Sequence, residues 1–172
     1  TVIMFLADHG DMLGDHGLWA KRLFYEGSAC VPMLLVGQAG DQRVGHGKLD
    51  NRLVGLQDVI PTLLDLAGLT IPDSVDGQSM IAPAQREWLY GEYGEHTEAT
   101  RMIHDGRYKM IYYAAGNRAQ LFDLEADPLE MSDLIDAEDH KSVRLRLTKQ
   151  LQSELYGSDL DWIRDDQFVG LP

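Results

Sequence analysis

Thr1-Val2-Ile3-Met4-Phe5-Leu6-Ala7-Asp8-His9-Gly10-Asp11-Met12-Leu13-Gly14-Asp15-His16-Gly17-Leu18-Trp19-Ala20-Lys21 opens the chain. Its apolar run, Val2 to Ala7, has no polar alternation and stops abruptly at Asp8-His9-Gly10. So short and unbroken a run predicts a strand covered on both faces, as in a parallel sheet flanked by helices. Ligands of such sheets collect beyond the carboxyl ends of the strands, where Asp8 and His9 fall. An adjacent carboxylate and imidazole, followed by a glycine that frees the backbone, suit a divalent cation. A second Asp-His-Gly follows at Asp15-His16-Gly17, then Lys21 and Tyr25-Glu26-Gly27-Ser28. One short loop thus carries metal-ligating side chains and a cation able to hold an oxyanion.

Working outward, Val31-Pro32-Met33-Leu34-Leu35-Val36-Gly37 predicts a second buried strand with proline at its entry, and Cys30 is read as a small apolar residue leading into it. Residues 37–50 are polar and glycine-rich, a surface loop that holds His46. Between Gln57 and Gly68, Asp58 is placed to cap a helix, Pro61 suits its first turn and Gly68 its left-handed end. Ile60, Leu63, Leu64 and Ala67 form its apolar face, suited to packing on a sheet. Pro, Gly, Ser and Asp crowd residues 71–85, which sets a boundary between a first unit, 1–85, and a second, 86–172.

The second unit changes period. Glu87–Tyr93, Thr100–His104, Arg107–Tyr113 and Gln120–Leu124 predict four strands, the middle pair joined by the hairpin signal Asp105-Gly106. From Asp139 to Leu155, the stripe Val143, Leu147, Leu151, Leu155 predicts a long helix. The expected fold class is α/β: part of an α/β core, then a small α+β subdomain in which one helix covers a four-stranded antiparallel sheet.

Composition sets outer limits. The chain has 172 residues, 44% hydrophobic, with a net charge of −13, which argues against nucleic acid or an anionic membrane as partner. The acidic excess lies between Phe122 and Asp166, far from the opening loop, and reads as a solvated surface. A single cysteine excludes an internal disulfide and leaves the redox compartment open. No run of eighteen apolar residues predicts a spanning helix. Thr1 lies within the strand pattern, and a leader lost with an upstream half would leave no trace here.

The string Ala7 to Lys21, followed by Tyr25-Glu26-Gly27-Ser28 and Val31-Pro32, resembles the type I sulfatases of the alkaline phosphatase superfamily. Leu121-Phe122-Asp123-Leu124-Glu125-Ala126-Asp127-Pro128-Leu129-Glu130 is similar to that family's Leu-Tyr/Phe-Asp-Leu-x-x-Asp-Pro-x-Glu signature. Asp76-Gly77-Gln78-Ser79 is similar to the segment preceding its small C-terminal subdomain, and the Asp-x-x-Pro-Thr-x-Leu pattern of Asp58 to Leu64 has its counterpart there too. The resemblance covers most of the chain. It implies that Asp8 and His9 are metal ligands, for calcium first and magnesium second, and that Lys21 contacts the sulfate ester. It also implies a formylglycine nucleophile, made from Cys or Ser in a Cys/Ser-x-Pro-x-Arg motif in the N-terminal half, whose hydrate attacks sulfur. That motif is absent. Cys30-Val31-Pro32-Met33-Leu34 carries leucine where the arginine belongs and lies downstream of the metal pair. The chain therefore reads as the C-terminal portion of a sulfatase, lacking its nucleophile and unable to turn over substrate alone.

Other side chains receive secondary roles. Glu26 is expected to orient Lys21 or the backbone, and His16 to touch substrate or brace the loop. Trp19 is expected to pack. His96 sits on a loop that could reach the cleft, with a solvated loop histidine as the duller reading, and His104 beside the tight turn is structural. A phosphonate monoester or phosphodiester hydrolase of the superfamily shares this loop. A two-zinc phosphohydrolase or mutase needs further histidine ligands, and a non-catalytic interaction module needs no metal at all. Residues 1–85 are expected to expose apolar sheet surface that favours self-association.

Overall fold

The computed structural model describes residues 1–171. Its centre is a four-stranded antiparallel sheet in sequential order, β5 (Leu89–Tyr93), β6 (Thr100–His104), β7 (Tyr108–Tyr113) and β8 (Arg118–Asp123). Asp105 makes the β6–β7 turn: its Oδ1 accepts the amides of Arg107 and Tyr108 at 3.0 and 2.6 Å, while Gly106 takes φ +98°. In register, His104 opposes Lys109 and Met102 opposes Ile111.

Both faces of this sheet are covered, which is why β7 lacks the exposed alternate positions of a one-sided strand. On one face Ile103, Met110, Tyr112 and Leu121 meet α3 (Lys141–Glu154) through Leu147, Leu151 and, just past its end, Leu155. The four-residue spacing brings these leucines onto one stripe, as expected. On the other face Met102, Ile111 and Phe122 pack against Met12 and Tyr25, with Leu18, Leu23 and Phe24 beside them. Gly91 makes room there, since a Cβ on it would lie 2.8 Å from the Phe24 ring. The opening loop is therefore the third layer of a helix–sheet–loop stack.

The first strand departs from expectation. β1 (Ile3–Leu6) pairs antiparallel with β4 (Met33–Val36), and every strand pair among the described residues is antiparallel. Ile3 and Phe5 of β1, with Leu34 and Val36 opposite, remain 53–63% exposed on one face of this ribbon. The apolar run signals that both faces avoid water, but no helix or parallel strand among the described residues covers this one. Cys30, expected to be buried, is exposed at the end of α1 (Glu26–Ala29), because the ribbon it leads into is itself half uncovered.

The helix after the surface loop is α2 (Val59–Leu66), preceded by a 3₁₀ turn at Leu56–Asp58. Its apolar residues Ile60 and Leu63 face outward, while Pro61 and Thr62 are buried. The predicted packing face is thus the open one. Asp58 does not cap α2 with its side chain. Its carboxylate reaches out instead to the amides of Gly55 and Gln78 and to Arg86, tying the helix start to the 72–86 segment.

Candidate functional site

The site grows out of a tight hairpin. β2 (Met12–Leu13) pairs with β3 (Trp19–Ala20), Met12 opposite Ala20, so the chain returns alongside itself and brings residue 21 back towards residue 9. Gly14 at φ +110°, His16 at +53° and Gly17 at +71° close the turn, left-handed angles that glycine accepts readily and histidine seldom does. His16 is held there by stacking on Tyr25, centroids 4.3 Å apart, and by donating from Nε2 to the Leu129 carbonyl at 3.1 Å. Of its two expected roles, bracing the loop is the one these contacts serve.

At the mouth of the hairpin, His9 donates from Nδ1 to the Gly10 carbonyl at 2.8 Å. This leaves a lone pair on Nε2, the tautomer a metal ligand requires. Lys21 Nζ approaches that nitrogen at 3.1 Å and Asp8 Oδ2 lies 3.5 Å from it. The Asp8 side chain is 87% exposed and that of His9 36%. The two lone-pair atoms are close enough for one hard cation, with ligand distances of about 2.3–2.6 Å, to touch both. Among the described residues no group of three or more His, Cys, Asp or Glu could hold a metal ion, and Asp8 and His9 stand as a pair of donor side chains.

Behind the pair, Gly10 donates its N–H to the Ser28 carbonyl at 2.8 Å, and a Cβ on Gly10 would clash with the Gly27 carbonyl. Glu26 does not pair with Lys21. Its Oε1 receives Lys109 Nζ at 2.6 Å, and Lys109 also stands 2.6 Å from Glu130 Oε1, while Glu130 Oε2 accepts the Glu26 amide at 2.6 Å. Burial alone would raise the Glu26 pKa, but the Lys109 ammonium outweighs it and holds the carboxyl below its ordinary value. Burial and then Glu26 push the Cys30 thiol up, away from the reactive thiolate.

The remaining candidates stand apart. Trp19 is 79% exposed, since a two-residue ribbon offers its ring little beyond Gly14 to lie against. His96, at φ +53° on a 3₁₀ turn, lines an open cleft of about 590 Å³ with Glu92, Tyr93, Glu95 and Tyr156. Arg22 donates to the Tyr93 hydroxyl at 3.4 Å, linking that cleft to the residue beside Lys21. His104 Nε2 is buried without a partner; burial and then the Lys109 charge hold its basicity down. Sequence reasoning missed Lys109, whose signal is a lone charge inside the apolar strand Tyr108-Lys109-Met110-Ile111-Tyr112-Tyr113.

The chain resembles known proteins over most of its length. The family described as N-sulphoglucosamine sulphohydrolase, C-terminal, matches residues 14–156. An arylsulfatase of Clostridium perfringens is 35% identical over 92% of this chain, and a choline-sulfatase of Rhizobium meliloti 38% identical over 79%. The chain spans 34% of the first and 27% of the second, about a third of their length. The solved structure of a 2-O GAG sulfatase superposes with a TM-score of 0.79 at 26% identity, covering 88% of this chain and 35% of that one. The chain therefore belongs to the type I sulfatase family of the alkaline phosphatase superfamily, of which it spans the C-terminal portion.

Proposed function

We propose that this chain supplies part of the active site of a sulfate-ester hydrolase, with Asp8 and His9 ligating a divalent cation and Lys21 holding the ester's anionic oxygens. The observation that carries the proposal is the meeting of Asp8 Oδ2 and Lys21 Nζ at one imidazole nitrogen, His9 Nε2. A carboxylate oxygen beside a neutral imidazole favours a hard cation, calcium before magnesium. When bound, such a cation neutralises sulfate charge and stabilises the oxyanion of the nucleophile. The chain's own residues orient the rest: Gly10 fixes the His9 ring through Nδ1, and the exposed Lys21 ammonium is free to turn to sulfate oxygens and to charge growing on the departing ester oxygen. The nucleophile and the remaining ligands are assigned to residues outside this chain, since Cys30 lacks the arginine its motif requires.

Calorimetry with calcium and with magnesium on wild type and Asp8→Ala tests the ligand assignment. Binding that disappears in the variant supports it, and equal binding by both refutes it. Incubating the purified 172-residue chain with an aryl sulfate and an aryl phosphonate tests the rest. No turnover is expected, and clear hydrolysis of either ester would place a nucleophile within these residues.

A further inference from the structure

We propose that Lys109 and Glu130 are positioning residues which, through Glu26, set where the Asp8–His9 pair stands. The inference rests on the reading of that pair as cation ligands. Lys109 lies on the β7 face that meets the loop, and its side chain is 2% exposed, like that of Glu130. An ammonium so far from water persists only when paired, and one carboxylate already balances its charge. Glu26, at 34% exposure, provides that balance at 2.6 Å. The second carboxylate, Glu130, therefore does something beyond neutralisation.

Its other oxygen shows what that is. Glu130 Oε2 takes the backbone N–H of Glu26, the first residue of α1, at 2.6 Å. Glu130 itself holds φ +57°, a region side chains enter at a cost, so its carboxylate is delivered to α1 from a strained backbone. The neighbouring Leu129 carbonyl receives His16, so one turn grips the opening loop on both sides of Tyr25. From α1 the contact passes on without a gap: Ser28 O takes the Gly10 amide at 2.8 Å, and Gly10 O takes His9 Nδ1 at 2.8 Å. The orientation of His9 Nε2 is thereby fixed by a lysine on a strand 100 residues away in sequence. The close seat of Gly10 under Gly27 lets little of that placement leak away.

The test compares wild type with Lys109→Met, Glu130→Ala, Glu130→Gln and, as a control on the Arg146–Asp105 pair at the β6–β7 turn, Arg146→Ala. Hydrogen exchange is read at the Gly10 amide and at β7, nitrogen NMR shifts at the His9 ring, and calcium affinity by calorimetry. Lys109→Met and Glu130→Ala are expected to speed Gly10 exchange about tenfold or more and to average the His9 tautomers, while β7 stays protected. Calcium affinity should fall by about the same factor. Glu130→Gln keeps an oxygen for the Glu26 amide and should recover most of the loss, and Arg146→Ala should change nothing. Unchanged Gly10 exchange and His9 shifts in Glu130→Ala overturn the proposal. So does a loss spread evenly over loop and sheet in both variants, which would make the triad a general brace. If wild type binds no calcium at Asp8 and His9, the ligand reading fails, while Gly10 exchange and the His9 shifts still decide the positioning claim.

Discussion

Arg86 grips both carboxylate oxygens of Asp58, with Nη2 2.8 Å from Oδ1 and Nη1 in close contact with Oδ2. The side chains are 11% and 2% exposed, and Asp58 also accepts the amides of Gly55 and Gln78 at 2.8 Å each. Removing the guanidinium leaves a buried, partly satisfied carboxylate. Arg86→Ala is therefore expected to destabilise the chain by about 3–5 kcal/mol, read as a lower urea midpoint. A loss under about 1 kcal/mol would show that the pair is no better than a surface bridge.

The same contact sets the acid response. Burial works to raise the Asp58 pKa, but Arg86 and the two amides outweigh it and hold the carboxyl below its ordinary value of 3.8. A carboxyl depressed in the folded state adds stability above its unfolded value, about 3.9, and loses it as pH falls through the lower folded value. Glu26, held down by Lys109 against its own burial, carries the same sign. Unfolding free energy should thus be flat near neutrality and decline as pH drops below about 4. Asp58→Asn, less stable at pH 7, should show a shallower decline.

What the sequence disclosed, and what it withheld, follows from the reach of each signal. The Asp105-Gly106 turn and the leucine stripe of α3 are local patterns, and both match their elements closely. The Asp8–His9–Lys21 spacing is local too, because a hairpin of two-residue strands closes it. An apolar run reports only that a strand avoids water, not which neighbour covers it, so β1 looked parallel and is antiparallel to β4. Lys109 was silent because its meaning depends on Glu26, 83 residues away. Cys30 looked buried because a thiol before an apolar strand usually is, and it is exposed because that strand's outer face is bare.

That bare face has a consequence in solution. Phe5 and Leu34 are cross-strand partners, 63% and 54% exposed, with Ile3 and Val36 beside them and unpaired strand edges on either side. Such a surface favours association of copies of this chain. Light scattering is expected to show species larger than the 19.3 kDa monomer. The double variant Phe5→Glu with Leu34→Lys places opposite charges in register and should shift the chain towards monomer. A monodisperse wild-type monomer would contradict the expectation.

Cys30 offers a reporter of the buried triad. Its thiol is held protonated by partial burial and by the nearby Glu26 carboxylate. Alkylation at pH 8 should therefore be slower than for a free cysteine despite the thiol's exposure, because the thiolate is the reacting form. Glu26→Gln removes the carboxylate and leaves the Lys109 cation nearby, and both changes favour the thiolate. The rate is expected to rise by about threefold or more. A slower rate in Glu26→Gln would mean that access, rather than charge, governs this thiol.

Lys21 is set against the cation it would assist. Its ammonium lies on the His9 Nε2 lone pair at 3.1 Å, the donor atom a cation would take. A cation approaching Asp8 and His9 must displace that hydrogen bond and work against a like charge, an interaction weakened by solvent because the side chains are exposed. Lys21→Met keeps the length of the side chain and removes the charge. Calcium affinity is then expected to rise, by no more than about fivefold given the screening. Sulfate should behave in the opposite way. Any increase in sulfate affinity on adding calcium draws on both the cation and the ammonium, so it should shrink in the variant even as calcium binds more tightly. Calorimetry of calcium with and without sulfate, on wild type and Lys21→Met, separates the two. Opposite signs support a lysine that yields the imidazole to metal and turns to the anion, whereas a parallel loss of both would make Lys21 a structural prop of the hairpin.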